Sequence, residues 1–147
     1  MKIALGCDHV GYELKAAVME RLAARGCEVV DFGCQGRERV DYPQYAKLAA
    51  KAVAEGQCDL GVLLCGTGVG ISIAANKVRG IRAVVCSEPY SAAMARMHND
   101  ANMLAMGSRV VGPALACMIL DHFLDAAFEG GRHQTRVDMI AALEDER

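Results

Sequence analysis

One short segment of the chain combines a reactive side chain with a permissive backbone. The sequence CGTGVG covers residues 65–70 and places a cysteine directly before a five-residue stretch that contains three glycines. Glycine lets the backbone approach a ligand closely, and free N–H groups at a helix N-terminus bind anions or stabilise a developing oxyanion. The same positive helix end favours the thiolate form of a neighbouring cysteine. The segment therefore predicts an anion-binding turn, with Cys65 as a base for proton transfer.

The segment differs from better-known loops. A P-loop ends in Gly-Lys-Ser/Thr and a dinucleotide loop reads G-x-G-x-x-G, whereas GTGVG gives only G-x-G-x-G and no lysine follows. A cysteine phosphatase loop needs an arginine where this chain has Ile71. A cysteine that ends an apolar strand is commonly a small core residue. We interpret the cysteines outside the turn in that way and expect them to be inert: Cys7, Cys27, Cys34, Cys58, Cys86 and Cys117.

Histidines and paired arginines offer further chemistry. His98 can transfer protons near neutral pH, but a histidine at a helix end is also commonly a charge partner or surface residue. Arg132 and Arg136 share a helix face, which makes either a solvated basic face or a bidentate phosphate clamp. Structural or surface roles suffice for His122 and His133. Without an HxH or HExxH pattern we expect no metal site.

Length and composition exclude several classes of protein. A chain of 147 residues favours a single domain over residues 1–147. The net charge of −2 gives no basic stripe for nucleic acid, and no apolar run approaches a membrane span. The opening MKIALGCDH turns polar too soon for a signal peptide. Seven cysteines without CxxC spacing argue against a disulfide framework or a zinc site. We expect a cytoplasmic protein.

Short apolar strands alternate with helical patterns along the chain. Pro43 and Pro113 each open a predicted helix, and Ser87 is predicted to cap another. The predicted strands cover residues 2–6, 27–32, 60–64, 81–86 and 102–107. The predicted helices cover 11–26, 43–56, 71–77, a segment after Ser87, 113–128, and an amphipathic stretch near the C-terminus.

This alternation predicts a Rossmann-like, three-layer α/β/α fold with a five-stranded parallel sheet and a C-terminal helical extension. Ligands of such sheets bind beyond the carboxyl ends of the strands. Polar residues follow several strands at that position, so we expect them to converge on one edge. The segment from about 132 to 147 follows a Gly-Gly break and carries an apolar stripe, so we expect it to dock on a partner subunit.

Several long motifs occur together, in the order GCDHVGYELK, DYPQYA, CGTGVGISIAANKVRGIRAVVCSEPYSA, HNDANMLAMGSRVVG and EGGRHQTRV. Over essentially its whole length the chain resembles the ribose-5-phosphate isomerase B family, which includes galactose- and allose-phosphate isomerases. The resemblance implies an aldose–ketose isomerase that needs neither metal nor organic cofactor. Its substrate would be a phosphorylated sugar, with ribose 5-phosphate and ribulose 5-phosphate interconverted through a cis-enediolate. One departure is Cys34, where many relatives have threonine.

The resemblance also implies roles for individual residues. Cys65 would move a proton between C2 and C1, the following turn with Thr67 would hold the enediolate, and His98 would open the furanose ring. The implied substrate-binding positions are Asp8, His9, Tyr42, Gly66, Gly68, Val69, Gly70, Asn99, Arg109, Arg132 and Arg136. The family pattern implies a homodimer with the site at the interface and His98-Asn99 supplied by the partner. A tetramer stays open.

Two alternatives remain at this point. The same chemistry on a six-carbon sugar phosphate, such as allose 6-phosphate, uses the same motifs. A non-catalytic module that binds sugar phosphates would keep the arginines and the glycine turn. The physiological substrate is therefore left open by the sequence.

Overall fold

A single parallel sheet organises the chain in the computed structural model, which describes residues 1–146. The five strands lie in the order β2-β1-β3-β5-β4. Their bounds are β1 Lys2–Cys7, β2 Glu28–Asp31, β3 Leu60–Cys65, β4 Ala83–Val85 and β5 Met103–Gly107. The helices are α1 Tyr12–Ala24, α2 Tyr42–Ala54, α3 Val69–Ala75, α4 Pro89–Asn99, α5 Pro113–Asp125 and α6 Arg132–Ala142, followed by a 3₁₀ turn at Leu143–Glu146.

Helices cover both faces of the sheet. On one face α1, α4 and α5 pack against strand residues such as Leu5 and Leu104. On the other face α2 and α3 pack against residues such as Leu63 and Ala105. Alternate residues of a strand point to opposite faces, so central strands covered on both sides read as continuous apolar runs. The predicted three-layer fold with a five-stranded parallel sheet and a C-terminal helix is confirmed.

The structure corrects some local expectations. The predicted cap Ser87 is wrong, because the Glu88 carboxylate accepts the Ser91 N–H at 2.9 Å and begins α4. Pro89 occupies the first turn, so the cap is Glu88, one residue after the predicted Ser87. Strand β4 is shorter than predicted and lies at the sheet edge, where it pairs only with β5. Helix α5 ends at Asp125 rather than at residue 128.

The C-terminal helix lies against its own chain. His133 and Val137 are buried on α6, and the Glu144 carboxylate accepts the Gly80 N–H at 3.0 Å. Apolar side chains on this segment nevertheless remain exposed, including Ile140 and Leu143. Docking of the segment on a partner stays a prediction, and Arg147 lies outside the described residues. Over residues 1–146, no helix has the length and apolar character needed to cross a membrane.

Candidate active site

The candidate base lies at the carboxyl ends of the central strands. Cys65 is the last residue of β3 and is opposite Gly107, the last residue of β5. On its other side β3 pairs with β1, where Cys7 is opposite Leu64. Cys65 is only 4% exposed. The sheet therefore places a buried thiol where the loops after three strands meet.

The turn after Cys65 folds back on the sulfur. Gly68 has φ +79°, and a Cβ there would lie 2.7 Å from Val85 Cγ2 and 3.0 Å from the Met106 carbonyl carbon. Both the backbone angle and the space therefore require glycine. In this conformation the Gly68 N–H donates to Cys65 Sγ at 3.1 Å. A backbone donor aimed at the sulfur stabilises negative charge on it.

Other backbone donors of the turn are left open. The Val69 N–H donates to Thr67 Oγ1 at 3.3 Å. Among residues 1–146, the N–H groups of Gly66, Thr67 and Gly70 have no acceptor. Open N–H groups beside a thiol are what an oxyanion of a bound substrate needs. These open donors are compatible with an anion-binding turn, which stays a prediction.

Two side chains flank the turn. A Cβ built on Gly70 would lie 2.6 Å from Tyr42 Cζ, so the tyrosine ring lies directly against the glycine. Arg109 lies on the other side, where its Nη1 would be 3.7 Å from a Cβ built on Gly66. The Arg109 N–H also donates to the Gly66 carbonyl at 3.1 Å. Tyr42 and Arg109 thus border the open face of the turn.

Asp8 and His9 follow β1 at the same edge. The Asp8 carboxylate is 5% exposed, and its Oδ1 accepts the N–H groups of Val10 at 3.0 Å and Gly11 at 2.7 Å. It therefore fixes the chain entering α1. His9 Nδ1 accepts the Val40 N–H at 3.2 Å. When Nδ1 accepts, the neutral imidazole carries its proton on Nε2, which is left to donate to a ligand.

A second set of predicted residues lies elsewhere in the chain. Helix α4 starts beyond the carboxyl end of β4 and runs back to the amino ends of the strands. There the Asn99 carbonyl accepts a hydrogen bond from Arg82 Nε at 3.0 Å, directly before β4. An 11-residue helix rises about 16 Å. Within one chain, the structure does not bring His98 and Asn99 to Cys65.

His98 lies beside His133, for which the sequence indicated a structural or surface role, and beside Glu129, which no sequence pattern singled out. The ring of His133 stacks on His98 with centroids 4.3 Å apart and planes 8° apart. Glu129 Oε2 lies 3.8 Å from His98 Nε2 and 3.4 Å from His133 Nε2. Burial lowers the pKa of His133, and the nearby His98 and Arg132 lower it further. No helical pattern in the sequence signals this contact, because Glu129 lies in the loop between α5 and α6 and Gly130 and Gly131 separate it from the helix of His133.

The arginine pair on α6 is exposed. Arg132 and Arg136 flank the buried His133 in sequence, and within residues 1–146 neither guanidinium forms an ion pair. Exposed arginines without a carboxylate partner fit both a solvated face and a phosphate clamp. The structure brings these arginines to the His98 end of α4, because His133 between them stacks on His98.

Two other thiols, Cys7 and Cys86, lie near the strand ends. Burial, with the neighbouring Cys34, raises the pKa of Cys7 to about 12. Burial raises the pKa of Cys86 to about 11, and Glu88 adds to the shift. Both groups are therefore neutral thiols near pH 7. This supports the interpretation of Cys7 and Cys86 as core residues.

Comparison with known proteins gives consistent matches over the whole chain. A model of the family described as Ribose/Galactose Isomerase matches residues 3–140. Ribose-5-phosphate isomerase B of Escherichia coli is 62% identical over 99% of this chain and 98% of the relative. The solved ribose-5-phosphate isomerase B of Clostridium thermocellum has a TM-score of 0.98 and 56% identity, covering 99% of both chains. The Mycoplasma genitalium ribose-5-phosphate isomerase B, solved with bound ribulose-5-phosphate, has a TM-score of 0.94 and 43% identity, covering 99% of this chain and 97% of that one.

Proposed function

The chain belongs to the ribose/galactose isomerase family, and from that membership we propose that it interconverts ribose 5-phosphate and ribulose 5-phosphate. The observation that carries the proposal is the Cys65 thiol, buried and facing the Gly68 N–H, beside a turn with open backbone donors. Aldose–ketose isomerisation needs these two parts: a base for a carbon-bound proton and donors for the oxyanion that results. A relative with 43% identity binds ribulose-5-phosphate, which supports the same class of ligand.

In the proposed mechanism, the Cys65 thiolate removes the proton from C2 of the open-chain aldose. The electron pair moves onto the carbonyl oxygen at C1, which gives a cis-enediolate. Backbone N–H groups of residues 66–70, assisted by the Thr67 hydroxyl, hold the enediolate oxygens. The hydroxyl proton on the C2 oxygen passes to the C1 oxygen, the electron pair left on the C2 oxygen forms the ketone carbonyl, and the same thiol returns the carbon-bound proton to C1. Each donor is worth about 3 kcal/mol of barrier, and the base contributes roughly two to four orders of magnitude in rate.

The second part of the proposal is a site shared between two copies of the chain. His98 opens the furanose ring, and Asn99 contacts the substrate. Because α4 carries both residues about 14–15 Å from its start beside the strand ends, a second copy is the simplest source of these groups. Exposed apolar side chains near the turn, Val69, Ile73 and Val85, support contact with another chain. We therefore propose a homodimer.

Phosphate recognition and cofactor use complete the proposal. Arg109 borders the turn, and Arg132 and Arg136 accompany His98, so the shared site gathers three arginines for the substrate phosphate. Proton transfer by a thiol requires no Lewis acid, so a chelator such as EDTA is expected to leave turnover intact. Free cysteines throughout the described residues favour a reducing compartment, and we place the reaction in the cytoplasm.

The test compares wild type with Cys65→Ser on ribose 5-phosphate, following ribulose 5-phosphate formation and exchange of the C2 proton with D₂O. Cys86→Ser is the matched control, because Cys86 is also a buried thiol at a strand end. We expect loss of turnover and exchange only in the Cys65 variant. Retention of both would reject the thiol as the base. Turnover on allose 6-phosphate alone would favour the six-carbon alternative, and tight binding without any isomer would favour a binding module.

A further inference from the structure

Three side chains next to the end of α4 form a compact set of metal-binding atoms. His98 Nε2, Glu129 Oε2 and His133 Nε2 lie within 4.8 Å of one another. Both imidazole nitrogens face the same carboxylate oxygen, at 3.8 Å and 3.4 Å. The Glu129 N–H donates to the Met97 carbonyl at 3.0 Å, which ties the backbone of this residue to the end of α4.

One atom of this set lacks a partner. His133 Nε2 is fully buried and makes no hydrogen bond within residues 1–146, and the His133 side chain is 8% exposed. Buried polar atoms are nearly always satisfied, so an orphan in a native structure points to a missing ligand or ion. The side chain faces the carboxylate without forming a hydrogen bond to it. An additional group between the two would satisfy both.

The chemistry of the three atoms selects the kind of group. Two imidazoles and one carboxylate suit Zn²⁺, Cu²⁺ or Ni²⁺ and not Mg²⁺ or Ca²⁺, which prefer oxygen ligands. Tetrahedral Zn²⁺ with bonds of about 2.0–2.1 Å places its ligands roughly 3.4 Å apart. The observed separations of 3.4 Å and 3.8 Å are close to this value. The two imidazole rings are stacked with their planes 8° apart, and an imidazole nitrogen binds a metal in its own ring plane, so His98 must turn out of the stack to share an ion with His133. His98 is 36% exposed, which leaves its ring room for this turn.

We infer that His98, Glu129 and His133 form a binding site for a transition-metal ion of the Zn²⁺ type. Three protein ligands leave the fourth position open to water. An ion here occupies the nitrogen of His98, so that nitrogen no longer exchanges a proton with the sugar ring. The inhibitory consequence rests on the proposed function, whereas the binding does not. Zinc is thus an inhibitor of this protein and has no part in its proton transfer.

The test measures Zn²⁺ binding to the full-length protein by isothermal titration calorimetry, and isomerisation in the same buffer. Glu129→Gln and His133→Gln each remove one ligand. His122→Gln is the matched control because it makes the same change at an exposed histidine outside the set. Cys65→Ser controls for zinc on the candidate base. Removing even an outer-shell partner of a metal ligand typically costs tenfold or more in affinity, so we expect at least about tenfold weaker binding when a ligand itself is removed.

The expected result is one zinc per chain in wild type, His122→Gln and Cys65→Ser, with binding weakened in Glu129→Gln and His133→Gln. Zinc then slows turnover by wild type, whereas Glu129→Gln keeps a larger fraction of the rate that it has without zinc. Binding that survives both ligand changes, or that disappears with Cys65→Ser, would overturn the site. Zinc binding at this site without inhibition would overturn the inhibitory role. A protein that binds zinc here but isomerises no sugar would contradict the proposed function alone.

Discussion

The shared site predicts which pairs of inactive chains restore activity. In one chain, His98 is near the far end of an 11-residue helix that begins beside the strand ends, a rise of about 16 Å. A catalytic proton transfer needs heavy atoms within about 3 Å of each other. Both groups must reach the same bound sugar, and within one chain they lie toward opposite ends of α4, so the proposed working pair is Cys65 of one chain and His98 of the other.

Two heterodimers separate the alternatives, each assembled from differently tagged chains and purified on both tags. The first joins a Cys65→Ser chain to a His98→Asn chain. With shared sites, one of its two sites has both intact residues, so we expect about half of the wild-type rate per dimer. With sites inside single chains, no site is intact and only the background of the parental homodimers remains.

The second heterodimer contains the same two substitutions in a different arrangement. It joins a wild-type chain to a chain that carries both Cys65→Ser and His98→Asn. Shared sites now leave no intact pair, and sites within one chain leave one. Shared sites make the first heterodimer active and the second inactive, whereas sites within one chain make the second active and the first inactive. Because both heterodimers carry the same substitutions and tags, the comparison controls for expression and folding. Activity in the second heterodimer and none in the first would refute the geometric argument.

Three further predictions follow from individual contacts. Arg136→Ala removes a charged donor to phosphate, worth about 1.5–3 kcal/mol, so KM for ribose 5-phosphate rises roughly tenfold or more; an unchanged KM returns the residue to a solvated surface. Gly70→Ala places a Cβ 2.6 Å from Tyr42 Cζ, and because Tyr42 is 37% exposed its ring can move away. We expect KM to rise while thermal stability changes little. Gly112→Ala is the control, because a Cβ there meets open space, and it leaves both KM and thermal stability unchanged. Hydrogen bonding and charge from Arg21 lower the pKa of Asp121 in the folded protein. The ion pair therefore stabilises the fold fully above the carboxyl pKa of the unfolded chain and stops doing so as pH falls through the carboxyl pKa of the folded protein. Asp121→Asn is expected to lower the urea midpoint at pH 7, and an equal decrease at pH 2 would contradict a role for the ion pair.

The parallel sheet could be predicted from the sequence more fully than the site. Apolar runs ending in polar residues were enough to predict the parallel sheet and the group around Cys65, because the carboxyl ends of parallel strands share an edge. The cap at Glu88 was missed because both candidate residues are polar and the position of Pro89 decides between them. The grouping of Glu129 and His133 with His98 could not be predicted, because it depends on stacking between His98 and His133, which are 35 positions apart in the chain.

The connection rule of parallel sheets explains why a site that uses both Cys65 and His98 would need two chains. A strand that runs toward the carboxyl edge is followed by a helix that returns to the amino edge, so residues at the end of that helix face away from their own ligand edge. His98 has this position on α4, and Asn99 contacts Arg82 at the opposite end of β4. If His98 takes part in the reaction, the smallest active unit is a pair of chains. A variant that separates the chains without unfolding them, such as a charge at the exposed Ile73, is then expected to lose ring opening while the sheet and the Cys65 turn remain intact.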